Sequence, residues 1–168
     1  NVETFLGLNP DLVLLSSYNH PNLRDQLQNL NIKTKIIRKY NSIADIKKNI
    51  LTIGKAASEE NSSRKLVKKI ERRLHKTRKC LLKCQKKTKV IVLSSWNYFA
   101  GHSTLIDDIL KHLGARNIIA EKKIKGWQQL SPEFIYSLDP DWIILSDQGF
   151  KYDKYKHLVN SPLFSKIK

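Results

Sequence analysis

Four aromatic residues stand where a ligand wall could be built. Trp96, Tyr98 and Phe99 fall in one stretch, SWNYFAGHS, and Trp127 falls in another, between Gly126 and Leu130. Both stretches read as loops and hold small residues (Ala100, Gly101, Gly126). A flat ring beside a small residue gives a large contact area at low entropic cost. Trp96 and Phe99 could equally anchor their loop in the core, and Trp142 reads as core. Ser16 and Tyr18 flank the start of a polar loop, SYNHPN, and join the candidate ligand set. Two acids form a second group. Glu3 and Glu133 each follow by two residues a residue suited to helix capping, Asn1 or Ser131, and Pro132 takes the favoured first helical position. Either acid complements a helix N-terminus, and either can also point outward to a basic partner.

Other reactive side chains do not assemble. His20 and His102 fall in loops after strands, where a metal ligand is conceivable. Cys80 and Cys84 lie four apart on a helix, without the further Cys or His pair that a zinc site needs. A disulfide within one helix would be strained. Asp107 and Asp108 have no second acidic pair, and there is no GxSxG, P-loop or GxGxxG. These residues form no catalytic constellation, so neither catalytic residues nor a resident metal or cofactor is expected.

The elements that position these residues are organised by a repeat. Glu3–Ser16 (ETFLGLNPDLVLLS) and Glu133–Ser146 (EFIYSLDPDWIILS) align without a gap at a constant offset of 130 residues. Each copy is a short amphipathic helix, a Pro-Asp turn and an apolar run that fits a buried strand. Two copies this far apart indicate two similar lobes rather than a short-period solenoid. After the first copy come a helix through Leu23, Leu27 and Leu30, a strand at Lys35–Arg38, and a helix capped by Ser42. That order predicts a parallel pair with a right-handed crossover. From Glu59 to about Lys86 runs the longest helical signal, with a stripe of Leu66, Val67, Ile70, Leu74 and Leu81. At 1.5 Å per residue it would be roughly 40 Å long, enough to bridge two bodies. A strand at Val90–Ser94, a helix at Thr104–Leu113 ended by Gly114, a short strand at Asn117–Ala120 and a loop at Gly126–Leu130 lead to the second copy.

The net charge of +16 is local. Lys33 to Lys89 holds 20 Lys or Arg against four acids, while the remainder has 11 of each sign. The excess is Lys-rich, unlike the Arg-rich surfaces that read phosphate and base edges bidentately. A solvated helix face explains it, and the alternative is a basic surface for nucleic acid or anionic membrane. No run of 18 apolar residues occurs. The chain opens on Asn1 inside a helix-strand unit, so it reads as a piece of a longer protein, cut at both ends.

The repeat, the long helix, LSSWNYFAGHSTLIDDILKHLGARNI and GWQQLSPEFIYSLDPDWIILS together resemble the class III, helical-backbone substrate-binding proteins of ABC importers for cobalamin, ferric siderophores and haem. The paired E-x4-L-x-P-D signature carries most of that likeness. The resemblance implies an α/β fold of two Rossmann-like lobes with parallel sheets, joined by one long rigid helix, with the ligand in the cleft. Residues 1–41 would be the remainder of the N-terminal lobe, 42–88 the connecting helical segment and 89–168 the C-terminal lobe. Glu3 and Glu133 match the family's two glutamates that meet permease arginines. Trp127, six residues before Glu133, matches a cleft tryptophan of the cobalamin-binding member, and Tyr98 or Phe99 matches a cleft aromatic. The tryptophan which that member carries after its first strand is replaced near Ser16. The implied role is that of a monomeric, extracytoplasmic or membrane-anchored receptor. It would capture a metal chelate and deliver it to a permease and its ATPase, with no nucleic acid involved.

Overall fold

The computed structural model describes residues 7–19, 21–81, 87–94 and 97–146. The chain forms two compact units, Asn1–Arg72 and Arg73–Lys168. Both are built of strands and helices, as the repeat predicts.

In the first unit, β1 (Val13–Ser16) and β2 (Thr34–Ile37) pair in parallel, with Val13 opposite Thr34 and Ser16 opposite Ile37. The crossover is α1 (Pro21–Asn29). Val13, Leu15 and Leu27 are buried together, with Leu23, Ile32 and Ile36 packed around them. Alternate residues of a strand face opposite ways, so Leu14 points away from this core and stays exposed. Helix α2 (Ile43–Ala56) starts at Ser42, whose hydroxyl accepts the Asp45 N–H at 3.0 Å. The 22-residue α3 (Glu60–Leu81) follows, about 33 Å long at 1.5 Å per residue. Residues 82–86, over which the sequence signal continued, lie outside the described residues. A Cβ on Gly54 would collide with the Ser63 side chain, so glycine permits the close approach of the two helices there. Lys47 and Glu71 pair across them at 2.8 Å. Val67, Ile70 and Leu74 are half-buried while the Lys and Arg residues of α3 are exposed.

Among the described residues, the second unit holds a mixed five-stranded sheet around β3 (Lys89–Ser94). Val90, Ile91, Val92 and Leu93 are all buried, Ile91 and Leu93 in one cluster and Val90 and Val92 in another. A strand covered on both faces reads as a continuous apolar run for this reason. On one side β3 pairs in parallel with β7 (Trp142–Ser146), from Val90–Trp142 to Ser94–Ser146. Its other edge is shared. The first half pairs in parallel with β5 (Arg116–Asn117) and the end pairs antiparallel with β4 (Tyr98–Ala100). β4 pairs in turn with β6 (Trp127–Gln129). Among the described residues the unit also holds helices α4 (Leu105–His112), α5 (Ile118–Glu121) and α6 (Pro132–Ser137).

Four local expectations change. The aromatic stretches are not loops, because Tyr98–Ala100 and Trp127–Gln129 hydrogen-bond to each other as a ribbon. That ribbon adds antiparallel strands to a sheet expected to be parallel. Only Arg116–Asn117 is strand where Asn117–Ala120 was expected, and Asn117 then caps α5 by accepting the Ala120 N–H. Trp142 is 51% exposed rather than core. Ile143 and Leu145 take the face packed on the Ile91–Ile135 cluster, which turns Trp142 and Ile144 to the opposite side.

Candidate functional site

Each unit presents candidate ligand residues at the carboxyl ends of its parallel strands, where open α/β sheets bind ligands. In the first unit, β1 ends in a tight polar turn. The Ser16 N–H donates to Asn19 Oδ1 at 2.6 Å, the Tyr18 N–H donates to Ser16 Oγ at 3.2 Å, and the Ser17 N–H donates to the Ile37 carbonyl at 3.1 Å. The turn holds Tyr18 out in solvent, 85% exposed. Its ring centroid lies 5.7 Å from that of Tyr40, at 55°. The Tyr18 hydroxyl bonds to Tyr40, which pushes the Tyr18 phenol up and draws the Tyr40 phenol down; Ser17 and Ser16 lower Tyr40 further. A cavity of about 250 Å³ opens beside the turn, lined by Ser16, Ser17, Asn19, Arg24 and Arg38 among others.

In the second unit, β4 leaves the carboxyl end of β3, with Ser94 opposite Tyr98. The register sets Tyr98 against Gln129 and Ala100 against Trp127. Residues directly opposite share a face, so Tyr98 and Trp127 lie on one face of the ribbon. Both are about 40% exposed. Phe99, on the other face, is 4% exposed and belongs to the core around Ile91 and Ile135. Its ring therefore anchors the ribbon and does not form a ligand wall.

The ribbon is held tightly. The Gly101 N–H donates to the Gly126 carbonyl at 2.8 Å, and the Gly126 N–H donates to the His102 carbonyl at 2.9 Å. Beneath it, the buried Asn117 amide donates to the Ala100 carbonyl at 3.0 Å and to Asp107 Oδ1 at 3.2 Å. Asp107, 2% exposed, also accepts from Lys111 Nζ at 2.6 Å. These buried polar groups are satisfied, as stability requires. Asp107, for which the sequence offered no second acidic pair for chemistry, serves to fix α4 against β5. A cavity of about 330 Å³ nearby is lined by Lys111, Arg116 and Glu121. Its main charges are taken, since Arg116 grips Glu121 through two bonds of 2.8 and 2.7 Å. That grip lowers the Glu121 carboxyl and raises the Arg116 guanidinium.

Glu133 stands exposed in the first turn of α6, after Ser131, whose hydroxyl accepts the Phe134 N–H at 3.2 Å, and Pro132. Among the described residues it has no ion pair. Glu3, Trp96, His20, Cys84 and the Cys80 side chain lie outside the described residues. His102 bonds to Ser103 Oγ at 2.9 Å. Among the described residues no group of three His, Cys, Asp or Glu side chains is placed to hold a metal.

The fold is α/β, with polar and aromatic side chains at the strand ends of each unit. A family described as periplasmic binding protein matches residues 1–168, and the chain belongs to that family. An uncharacterized ABC transporter substrate-binding lipoprotein of Bacillus subtilis, YvrC, is 29% identical over 155 residues, or 88% of this chain. The chain spans about half of that relative, 49% of its length. A possible iron-binding (periplasmic solute-binding) protein from Staphylococcus epidermidis superposes with a TM-score of 0.83 at 25% identity, covering 99% of this chain and 66% of that one. CeuE of Helicobacter pylori, in a Ni-His complex, superposes with a TM-score of 0.77 at 28% identity, over 100% of this chain and 54% of the other. The fold is that of the class III members which the sequence resembles.

Proposed function

We propose that this chain forms part of the solute-binding component of an ABC importer. It captures a metal chelate of the ferric siderophore, haem or cobalamin type and delivers it to a permease served by an ATPase. The observation that carries this reading is the match to the periplasmic binding protein family over residues 1–168. Kinship with a substrate-binding lipoprotein and with a possible iron-binding protein supports it, and favours an extracytoplasmic, membrane-anchored location. The ligand residues are Tyr98 and Trp127 on the ribbon, and Ser16 and Tyr18 at the end of β1, with Trp96 as a further candidate. Phe99 drops from the set because its ring is enclosed. Glu133 and Glu3 dock to permease arginines, where charge-assisted bidentate pairs are favourable. Capture and release need no bond-making residues, so the role is binding rather than catalysis. None of the three relatives is named for nucleic-acid binding, and kinship gives the basic-helix alternative no support.

Tryptophan fluorescence of the full-length protein, titrated with ferric siderophores, haem and cobalamin, tests the reading. Saturable quenching by one of these classes is expected, weakened by Trp127→Ala and by Tyr98→Ala. A folded full-length protein that responds to none of the three overturns it.

A further inference from the structure

The first unit carries a concentration of positive charge that the proposed ligand residues do not use. Arg24 on α1 and Arg38 just after β2 both line the 250 Å³ cavity at the carboxyl end of β1. Arg38 also lines a second cavity of about 380 Å³, together with Lys35, Lys39 and Lys48. Together the two cavities present five cations against two acids, Asp25 and Asp45. Asp45 is engaged, accepting the Asn41 N–H at 3.1 Å. Among the described residues neither Arg24 nor Arg38 has an ion pair. This contrasts with Arg116 of the second unit, which Glu121 neutralises.

The first cavity adds an amide donor. Asn19 spends its carbonyl oxygen on the Ser16 N–H, which leaves its amide NH2 to donate. Ser16 Oγ accepts from the Tyr18 N–H and gives its own proton to Tyr40, so it stands outside the donor set. Leu15 and Ile36 form an apolar floor, against which such bonds are stronger than in open water. Guanidinium forks match carboxylates bidentately, which a lone ammonium cannot do.

We propose that Arg24 and Arg38, with Asn19, form an oxyanion subsite that selects a chelate bearing peripheral carboxylates over one without them. The proposal rests on the chelate-binding reading above and narrows its ligand class. Haem and ferric citrate offer such carboxylates; the hydroxamate chelate ferrioxamine B does not.

The test compares these three probes on the full-length protein, alongside iron-free citrate. Arg24→Gln and Arg38→Gln alter exposed side chains, and circular dichroism checks that each variant folds. Either variant is expected to weaken haem or ferric citrate binding by about tenfold or more, as loss of a charged hydrogen bond does, with Arg38→Lys restoring part of it. Added salt should weaken the same complexes. If the wild type prefers ferrioxamine B and the variants bind as it does, the subsite is wrong while the importer reading stands. Unchanged binding of haem and ferric citrate by both variants also overturns the subsite. If iron-free citrate binds as tightly as ferric citrate and the variants lose both, the subsite stands and the chelate reading fails. A wild type that binds none of the four overturns both.

Discussion

Asn9 and Asp139 hold the same left-handed backbone, with φ of 42° and 47°, at matching positions of the two motif copies. Each ends the helix of its copy and precedes the proline of the Pro-Asp turn. Asn and Asp tolerate this conformation better than other residues with a Cβ. Asp139→Val should therefore destabilise the protein by about 1–2 kcal/mol, and Asp139→Gly should be close to neutral. The ion pair from Lys89 Nζ to Asp139 at 2.6 Å joins a carboxylate that is 91% exposed; such pairs contribute about 0–1 kcal/mol. Urea unfolding of the two variants separates the contributions. Equal losses would mean that the side chain, not the backbone angle, matters here.

Two residues further on, Asp141 clasps the start of β3. Its carboxylate accepts the Lys89 N–H at 2.7 Å, and its own N–H donates to the Lys89 carbonyl at 2.9 Å. The clasp fixes Val90 opposite Trp142. A one-residue slip would exchange the packed Ile143 and Leu145 for Trp142 and Ile144. Asp141→Ala leaves the Lys89 N–H unsatisfied in a partly buried setting and should cost about 1–3 kcal/mol. Thermal or urea unfolding measures it, and a loss under a few tenths would show that register is set elsewhere.

The strands, the turns and the caps were legible, inside the repeat and outside it, because each depends on local spacing. Ser42 and Ser131 cap helices as expected, Thr104, expected as the first helical residue, is the cap instead, and Gly114 has the positive φ of 70° expected past a helix end. The β4–β6 ribbon was not legible. Its strands are three residues each, too short for an alternating pattern, and only the pairing of Ala100 with Trp127 reveals them. Trp142 misled for a related reason: an apolar run shows that a strand is buried somewhere, but not which face is covered. Among candidate ligand residues, the sequence marked both Phe99 and Tyr98, with a core role open for Phe99. Alternation along β4 sends one ring inward and the other out, and a three-residue strand gives no advance sign of the choice. Arg24 and Arg38 passed unremarked, one in the charge-balanced part of the chain and one in the basic segment, since only the fold brings them to one cavity.

Gly101 tests how rigid the ribbon is. A Cβ there would run into the backbone carbonyl of Ile124, which itself accepts the His102 N–H at 2.8 Å. Backbone on both sides cannot give way cheaply, so Gly101→Ala should cost about 1–3 kcal/mol as overpacking does. It should also loosen the strand that carries Tyr98. Gly114→Ala, with open space around its Cβ but a positive φ, should cost about 1 kcal/mol. If Gly101→Ala proves the milder of the two in urea unfolding, the tight stitch of β4 to β6 is not what holds the ribbon.

The Tyr18–Tyr40 pair predicts an ordered alkaline titration. Hydrogen bonding from Tyr18 favours the Tyr40 phenolate, so Tyr40 ionises below the ordinary 10.0, while Tyr18 ionises above it. As pH rises towards 10.0, folded Tyr40 releases its proton before the unfolded chain does, and the folded state gains stability over that interval. Above it Tyr18 acts in the opposite sense, because the unfolded chain loses that proton first. Tyrosinate absorbance should show an early step that Tyr40→Phe removes, and the same variant should return Tyr18 to its ordinary range. An early step that survives Tyr18→Phe undiminished would rule out the coupling.

Glu133 separates stability, ligand binding and transport. Ser131 and Pro132 already satisfy the start of α6, so the exposed carboxylate adds only its interaction with the helix N-terminus, about 0.3–1 kcal/mol. Glu133→Ala should therefore unfold nearly as the wild type does. It lies on α6, whereas Tyr98 and Trp127 lie on the ribbon, so chelate affinity should be unchanged. If Glu133 docks to a permease arginine, uptake by cells carrying the variant should fall sharply, and Glu133→Asp should recover part of it. Glu3→Ala combined with Glu133→Ala should abolish uptake while affinity persists. Uptake that survives the double variant would remove docking as the reason for either acid, and leave Glu133 as a helix-start residue alone.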